Sequence, residues 1–206
     1  MDTSFPLLFA AVVGFSHAFE ADHLVAVSNI VTKRDKMALA IKDGIYWGFG
    51  HTSTIFLIGL LIIVGRVAFF DGYFSYFEAL VGLMLVGLGL FRLYQYYNRR
   101  RRPSQWIDER SNHHLAYGVG FVHGLAGSGA MILLVMTEIQ GSFNSMMYLL
   151  IFGVGSVAGM LVAAGLFSLP FSRRITGNES LQLALALLSS LLCIGYGAFV
   201  IVENLS

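Results

Sequence analysis

Hydrophobic residues occur along this chain in six long runs that are separated by short polar segments. A helix needs about 20 mostly apolar residues to cross the hydrocarbon core of a bilayer, and each run is long enough. The pattern therefore predicts an all-α, polytopic membrane protein with six transmembrane helices, at about 5–31, 44–65, 74–97, 116–137, 146–169 and 181–203.

The basic residues alternate between the segments that join these predicted helices. Twelve of the 13 lysines and arginines lie in or beside the connections after the first, third and fifth helices, and only Arg66 lies on the other side. Cytoplasmic connections carry an excess of Lys and Arg. We therefore predict that these three connections are cytoplasmic and that both termini lie outside.

The two halves of the chain resemble each other, with three spans in each half. Three short matches occur in the same order, at offsets of 106, 103 and 108 residues: Gly14–His17 with Gly120–His123, Phe49–Gly50 with Phe152–Gly153, and Gly87–Phe91 with Gly195–Phe199. An odd number of spans per half inverts the second half, as in many secondary transporters. We predict one transmembrane domain, 1–206, built as a 3+3 inverted repeat (about 5–97 and 116–203).

The longest connection, 98–115, allows two interpretations. It could capture metal through Asp108, Glu109, His113 and His114, or it could be a basic segment that rests on anionic lipid through Arg99–Arg102. We favour the second interpretation, which makes anionic lipid a predicted partner.

The amino-acid composition also restricts the class of protein. Of the 206 residues, 56% are hydrophobic and 12% are charged, against about 25% charged in soluble domains, which excludes an ordinary soluble enzyme. The net charge of +1 predicts no nucleic-acid partner. The single cysteine, Cys193, excludes an intramolecular disulfide. The first residues lack a basic n-region, so we expect the first apolar segment to remain in the mature protein.

Ionisable residues inside the predicted helices indicate the chemistry. The first helix carries four within seven positions, and the second and fourth add one histidine each: His17, Glu20, Asp22, His23, His51 and His123. Each charge at depth costs a few kcal/mol, so such a cluster persists only if it is paired, hydrated or bound to a cation. Imidazole and carboxylate together suit a first-row divalent cation. We expect His23, His51 and His123 in one layer, roughly 10–12 Å inside the cytoplasmic boundary, with His17 deeper.

A regular helix cannot direct His17, Asp22 and His23 at one ion, because they point about 100° or more apart. Either the helix is unwound near Gly14, or some of these groups orient the true ligands. We predict five metal ligands, His17, Asp22, His23, His51 and His123, and four residues that orient them or line the path, Glu20, Thr52, Ser53 and Ser128. For the hydroxyls the alternative is a bond to a helix carbonyl.

The spacing of His17, Asp22 and His23 resembles the signature of the nickel/cobalt transporter family. Gly50–Ser53 (Gly-His-Thr-Ser) resembles that family's second histidine motif, and Val122–Ser128 resembles its short, urease-accessory nickel permease branch. The resemblance implies that His17, Asp22, His23 and His51 select the metal. It implies a secondary transporter that takes up Ni²⁺ or Co²⁺ across the inner or plasma membrane. We also predict that no cofactor is permanently bound and that the protein could form a homo-oligomer. Larger members typically have eight spans, where this chain has six.

Other classes of function fit less well. A haem-binding electron carrier needs two histidines that face each other across the cofactor, and the neighbouring acids argue against it. A zinc protease needs His-Glu-x-x-His, and a thiol–disulfide carrier needs two cysteines; the sequence has neither. A transporter of another substrate, with a structural polar cluster, stays open. We predict that the protein is not an enzyme.

Overall fold

Helices make up most of the residues that the structure describes. The computed structural model describes residues 4–31, 34, 36–63, 73–101, 113–138, 141–171 and 179–206. Seven α-helices lie in these ranges: α1 Ser4–His17, α2 Ala21–Val31, α3 Met37–Ile63, α4 Phe74–Arg101, α5 His113–Glu138, α6 Ser142–Ser168 and α7 Glu179–Leu205. A short 3₁₀ turn, Leu169–Phe171, follows α6.

Four of the helices in the described ranges are long and apolar enough to cross a membrane: Met37–Ile63, Phe74–Asn98, Ser142–Ser168 and Ser180–Leu205. They correspond to the second, third, fifth and sixth predicted spans. Large apolar side chains on their outer faces, such as those of Leu83, Val154 and Leu191, are exposed, as expected for surfaces that face lipid. The fold is therefore that of an all-helical polytopic membrane protein.

The first predicted span is not one continuous helix, and in this respect the prediction of a helix over 5–31 was wrong. The chain leaves the α-helical conformation at residues 18–20, between α1 and α2, and not near Gly14. The N–H groups of Phe19 and Glu20 donate to the carbonyls of Ser16 and His17 at 2.9 and 3.1 Å, which makes a tight turn. Asp22 then lies in the first turn of α2, where the helix dipole favours a negative charge.

Helix α3 lies at the centre of the bundle, packed against α5 and α6, while α1 packs on α6 and α4 packs on α7. The helices approach one another most closely at glycine residues. Gly14 lies against the backbone carbonyl of Phe152, and Gly120 lies against that of Trp47, with no room for a Cβ atom at either position. Within a bilayer, small residues allow helices to gain contact where hydrophobicity alone does not drive them together.

Gly120→Ala should destabilise the protein, because the added Cβ would overlap the backbone carbonyl of Trp47 and force α3 and α5 apart. Overpacking of this kind costs about 1–3 kcal/mol. The control is Gly118→Ala on the same helix, where a Cβ meets no atom within 4 Å and alanine favours the helix. Thermal unfolding of the purified protein in detergent should show a lower midpoint for the first variant only. Equal midpoints would contradict the packing argument.

Candidate metal centre

The turn between α1 and α2 brings three of the predicted ligands together. His17 is the last residue of α1, and His23 lies in the first turn of α2. Because residues 18–20 are not helical, the two imidazoles are not held to the angles of one regular helix, and their ring centres lie 4.6 Å apart. The break therefore resolves the angular conflict that a continuous helix would impose.

Helices α3 and α5 each add one imidazole to this pair. The ring centre of His51 lies 5.2 Å from those of both His17 and His23. The ring centre of His123 lies 4.4 Å from that of His23. All four histidines are buried, and with Asp22 they form what we call the histidine centre. The described ring contacts join His17 to His23 and His51, and His23 to His123, while the predicted depths of these histidines in the membrane stay a prediction.

The carboxylates of Asp22 and Glu20 interact with three of these four imidazole rings. The two oxygens of Asp22 accept hydrogen bonds from His23 Nδ1 at 3.0 Å and His123 Nε2 at 2.9 Å. Asp22 therefore bridges an imidazole of the first half of the chain to one of the second half. Glu20 pairs with His17 Nδ1 at 2.8 Å, but its side chain is 58% exposed. Carboxylates in this position fix the orientation of a metal-binding imidazole and raise its basicity.

Several ring nitrogens of the centre are left without a hydrogen-bond partner among the described residues. They are His17 Nε2, His23 Nε2, His123 Nδ1 and both nitrogens of His51. Buried polar atoms normally have a partner, so a cluster of such atoms is unusual. Ligand atoms of His17, His23 and His51 all lie within 4.8 Å of one another, and so do those of Asp22, His23 and His123. Either group could hold a first-row divalent cation.

Direct contact between the rings also bears on the haem alternative. Two axial histidines must face each other with the macrocycle between them. The ring centres here lie 4.4 to 5.2 Å apart, and Asp22 links two of the rings through hydrogen bonds. The described part of the centre therefore suits a small ion and does not suit a planar cofactor.

Two aromatic residues beside the centre, and a buried serine that follows one of them on α6, were not among the predicted site residues. The rings of Phe152 and Trp47 lie 5.5 Å from those of His17 and His23 respectively. Ser156, one helical turn after Phe152 on α6, is fully buried. Trp47 Nε1 and Ser156 Oγ have no hydrogen-bond partner in the described ranges. Spacing offered a signal, since Trp47 precedes His51 by one turn of α3.

The hydroxyl groups predicted to orient the imidazoles or line the path donate to backbone carbonyls where they are described. Thr52 Oγ1 donates to the carbonyl of Gly153 at 3.2 Å and so joins α3 to α6, whereas Ser53 Oγ donates to the carbonyl of Phe49 at 2.6 Å within its own helix. Each hydroxyl therefore has a helix carbonyl as its described partner, and a place along the ion path stays a prediction for both. The side chain of Ser128 lies outside the described residues.

The 98–115 connection lies mostly outside the described residues, including Arg102, Asp108 and Glu109 and the side chains of Arg99–Arg101. At its end His114 is exposed, while His113 is buried and its Nδ1 lies 2.7 Å from Asp43 Oδ1. His113 therefore has a buried partner on α3, which neither interpretation of the connection foresaw.

Comparison with known proteins agrees with the chemistry of this centre. No protein-family profile matches the chain, and no solved structure matches it. The chain is 32% identical over 176 residues to the urease accessory protein UreH of Bacillus sp. (strain TB-90), covering 81% of this chain and 77% of UreH. It is 27% identical over 116 residues to the high-affinity nickel transport protein of Cupriavidus necator, covering 50% of this chain and 33% of that protein.

A third relative is the nickel transporter NicT of Mycobacterium tuberculosis, which is 32% identical over 93 residues, 41% of this chain and 24% of that protein. The chain thus spans most of UreH but no more than a third of these two nickel transporters. On its likeness to UreH over most of both chains, the protein belongs to the nickel/cobalt transporter family, in the branch that contains the urease accessory protein UreH.

Proposed function

We propose that this protein is a secondary transporter that carries Ni²⁺ across the plasma membrane as a multi-pass permease, with Co²⁺ as a second substrate. One observation carries the proposal: four buried histidines from α1, α2, α3 and α5 meet at one point, and each has at least one ring nitrogen without a partner among the described residues. Relatives whose names specify nickel transport support the choice of metal.

The ion would be held by imidazole nitrogens, with Asp22 supplying negative charge. His17, His23 and His51 form the tighter set of neutral ligands, and Asp22 with His23 and His123 forms the second. His23 belongs to both sets, so an ion can pass from one to the other while it keeps one ligand. Burial excludes water, and the ligands must therefore replace the ion's hydration shell while it is in the centre.

Six spans in a 3+3 inverted repeat, with both termini outside, remain part of this proposal. In it α1 and α2 together form the first span and α5 forms the fourth. Paired contacts support the repeat, since three close approaches of a glycine in one half have a counterpart in the other: Gly14 to Phe152 and Gly120 to Trp47, Gly155 to Ala11 and Gly50 to Tyr117, Gly89 to Ser190 and Gly197 to Gly82.

The offsets of these pairs support one register for the repeat. They are 106 residues for α1 with α5, 105 for α3 with α6, and 108 for α4 with α7. The middle value differs by two residues from the offset of 103 for the match of Phe49–Gly50 with Phe152–Gly153. With this register His17 corresponds to His123, so the two halves contribute equivalent imidazoles. Anionic lipid at Arg99–Arg102 and assembly into a homo-oligomer remain predictions.

The experiment that tests the function is accumulation of ⁶³Ni²⁺ in cells that express the protein, beside cells with an empty vector. We expect accumulation well above the vector level, reduced by excess Co²⁺ and abolished by His17→Ala, because that change removes one imidazole of the tighter set. His114→Ala is the control, since His114 is exposed and outside the centre. Membrane levels of all variants must match. Vector-level uptake by the wild type, with the protein present in the membrane, would refute uptake as the function.

A further inference from the structure

A second buried polar cluster lies away from the histidine centre. Asp43 on α3 accepts two hydrogen bonds from Arg34, from Nε at 2.5 Å and from Nη2 at 2.8 Å. Asp43 also pairs with Nδ1 of His113, the first residue of α5, at 2.7 Å. All three side chains are buried, and the His113 ring stacks on Tyr46 at 5.3 Å. We call Arg34, Asp43 and His113 the Asp43 cluster.

The same two helices connect this cluster to the histidine centre. On α3, Asp43, Trp47 and His51 follow each other at intervals of four residues and are all buried, so they share one face. Asp43 lies about 12 Å from His51 along that face, at about 1.5 Å per residue. On α5, His113 precedes His123 by ten residues, about 15 Å. The α3–α5 interface thus carries Asp43 and His113 at one position and His51 and His123 at the other, where Asp22 of α2 adds the carboxylate.

The position of the cluster relative to the membrane follows from the basic residues. Arg34 lies in the connection between α2 and α3, together with Lys33 and Lys36, and the charge distribution makes that connection cytoplasmic. The Asp43 cluster is therefore at the cytoplasmic end of the interface that begins at the histidine centre. An ion that leaves the centre toward the cytoplasm along this interface reaches Asp43 and His113.

The Asp43 cluster has the ligand types of a cation site, and the Arg34 guanidinium already supplies a positive charge there. A carboxylate and an imidazole are the same ligand types as in the histidine centre, and the Arg34 guanidinium neutralises Asp43 through a two-point contact. A buried ion pair contributes little net stability compared with apolar residues of the same size. Ionisable groups inside a membrane protein usually mark the path of an ion. Stability alone therefore does not account for the cluster.

We propose that Asp43 and His113 form a second, transient binding site for the transported divalent cation, and that Arg34 occupies it while the site holds no metal. A dication at Asp43 would repel the guanidinium, so only one of the two can be there at a time. The arriving ion displaces Arg34, which opens the cytoplasmic end, and Arg34 returns once the ion has left. This inference rests on the proposed transport function, since it assigns the next step of the same path.

Equilibrium dialysis of the purified full chain against ⁶³NiCl₂ tests the site directly. Arg34→Gln removes the tethered cation and should bind one more Ni²⁺ per chain than the wild type. Arg34→Lys is the matched control: it keeps a positive charge, so no additional ion should bind. The double variant Arg34→Gln/Asp43→Asn removes the ion pair without leaving a buried charge unpaired, and it should also bind no additional ion. An Arg34→Gln protein that binds no more Ni²⁺ than the wild type would overturn the proposal.

The same variants combined with His51→Leu separate this inference from the proposed function. If both hold, His51→Leu loses the ion at the histidine centre, and His51→Leu with Arg34→Gln still binds the additional ion. If the histidine centre is not a metal site but the Asp43 cluster is one, the His51→Leu protein binds as much Ni²⁺ as the wild type, and Arg34→Gln still binds one more ion.

Uptake of ⁶³Ni²⁺ provides a second readout that does not depend on the folding of Arg34→Gln. The charge-free double variant should lower uptake about tenfold or more, an effect of the size seen when groups that support a metal site are lost, while its first Ni²⁺ remains bound. Uptake by the double variant at the wild-type rate would show that the cluster is structural only, and the proposal would fail.

Discussion

His51→Leu is expected to abolish nickel uptake and, at the same time, to raise the resistance of the metal-free protein to unfolding. Both ring nitrogens of His51 are buried and have no hydrogen-bond partner in the described part of the chain. A buried polar group in that state costs about 1–3 kcal/mol. Leucine removes this cost, breaks no hydrogen bond of the described structure, and leaves the tighter set of ligands with two imidazoles.

Two measurements on one variant decide this prediction. Thermal unfolding in detergent with a chelator present should give a midpoint above that of the wild type, whereas ⁶³Ni²⁺ uptake should fall to the level of the empty vector. His114→Leu is the matched control, because the same substitution at an exposed histidine should change neither quantity. A lower midpoint together with normal uptake would mean that His51 supports packing and does not bind the ion.

The sequence was sufficient to predict the fold class and the identity of the clustered residues, for identifiable physical reasons. Apolar runs of membrane length are a strong signal, and four of them appear as membrane-length helices. An ionisable group is costly inside a bilayer, so the positions of His17, His51 and His123 could be identified without any structure. Membership of the family confirms the predicted class, a metal transporter and not an enzyme.

Tertiary detail was harder to predict, because it depends on a few backbone angles and on contacts between distant segments. No proline or glycine occurs at residues 18–20 to indicate a break in the helix after His17. The tight turn there was seen only in the structure. Asp22 contacts its neighbour His23 but also His123, 101 residues away, and nothing in the sequence indicated that second contact. Asp43 was assigned no role from the sequence and Arg34 served only to orient the chain in the membrane, yet both are buried.

Asp22→Asn is expected to weaken Ni²⁺ binding by about 10- to 100-fold, the range seen when a group that orients metal-binding imidazoles is replaced. The asparagine side chain keeps the shape of the carboxylate, but its amide nitrogen cannot accept the hydrogen bond from an imidazole N–H. One of the two links, to His23 or to His123, is therefore lost. The variant also removes the negative charge that offsets a buried dication.

Glu20→Gln is the matched comparison, since it makes the same chemical change two residues away. Glu20 contacts only His17 in the described structure and is 58% exposed, so water can replace part of its interaction and we expect a loss of less than about tenfold. Competition dialysis with ⁶³Ni²⁺ on the purified variants gives both affinities, and equal unfolding midpoints without metal would exclude a folding defect. Asp22 joins imidazoles from both halves of the chain, whereas Glu20 contacts one imidazole at the edge of the histidine centre. Which variant loses more Ni²⁺ affinity therefore tests the geometry of the centre. The reverse ranking would move the main binding position from the bridge at Asp22 to His17 and Glu20.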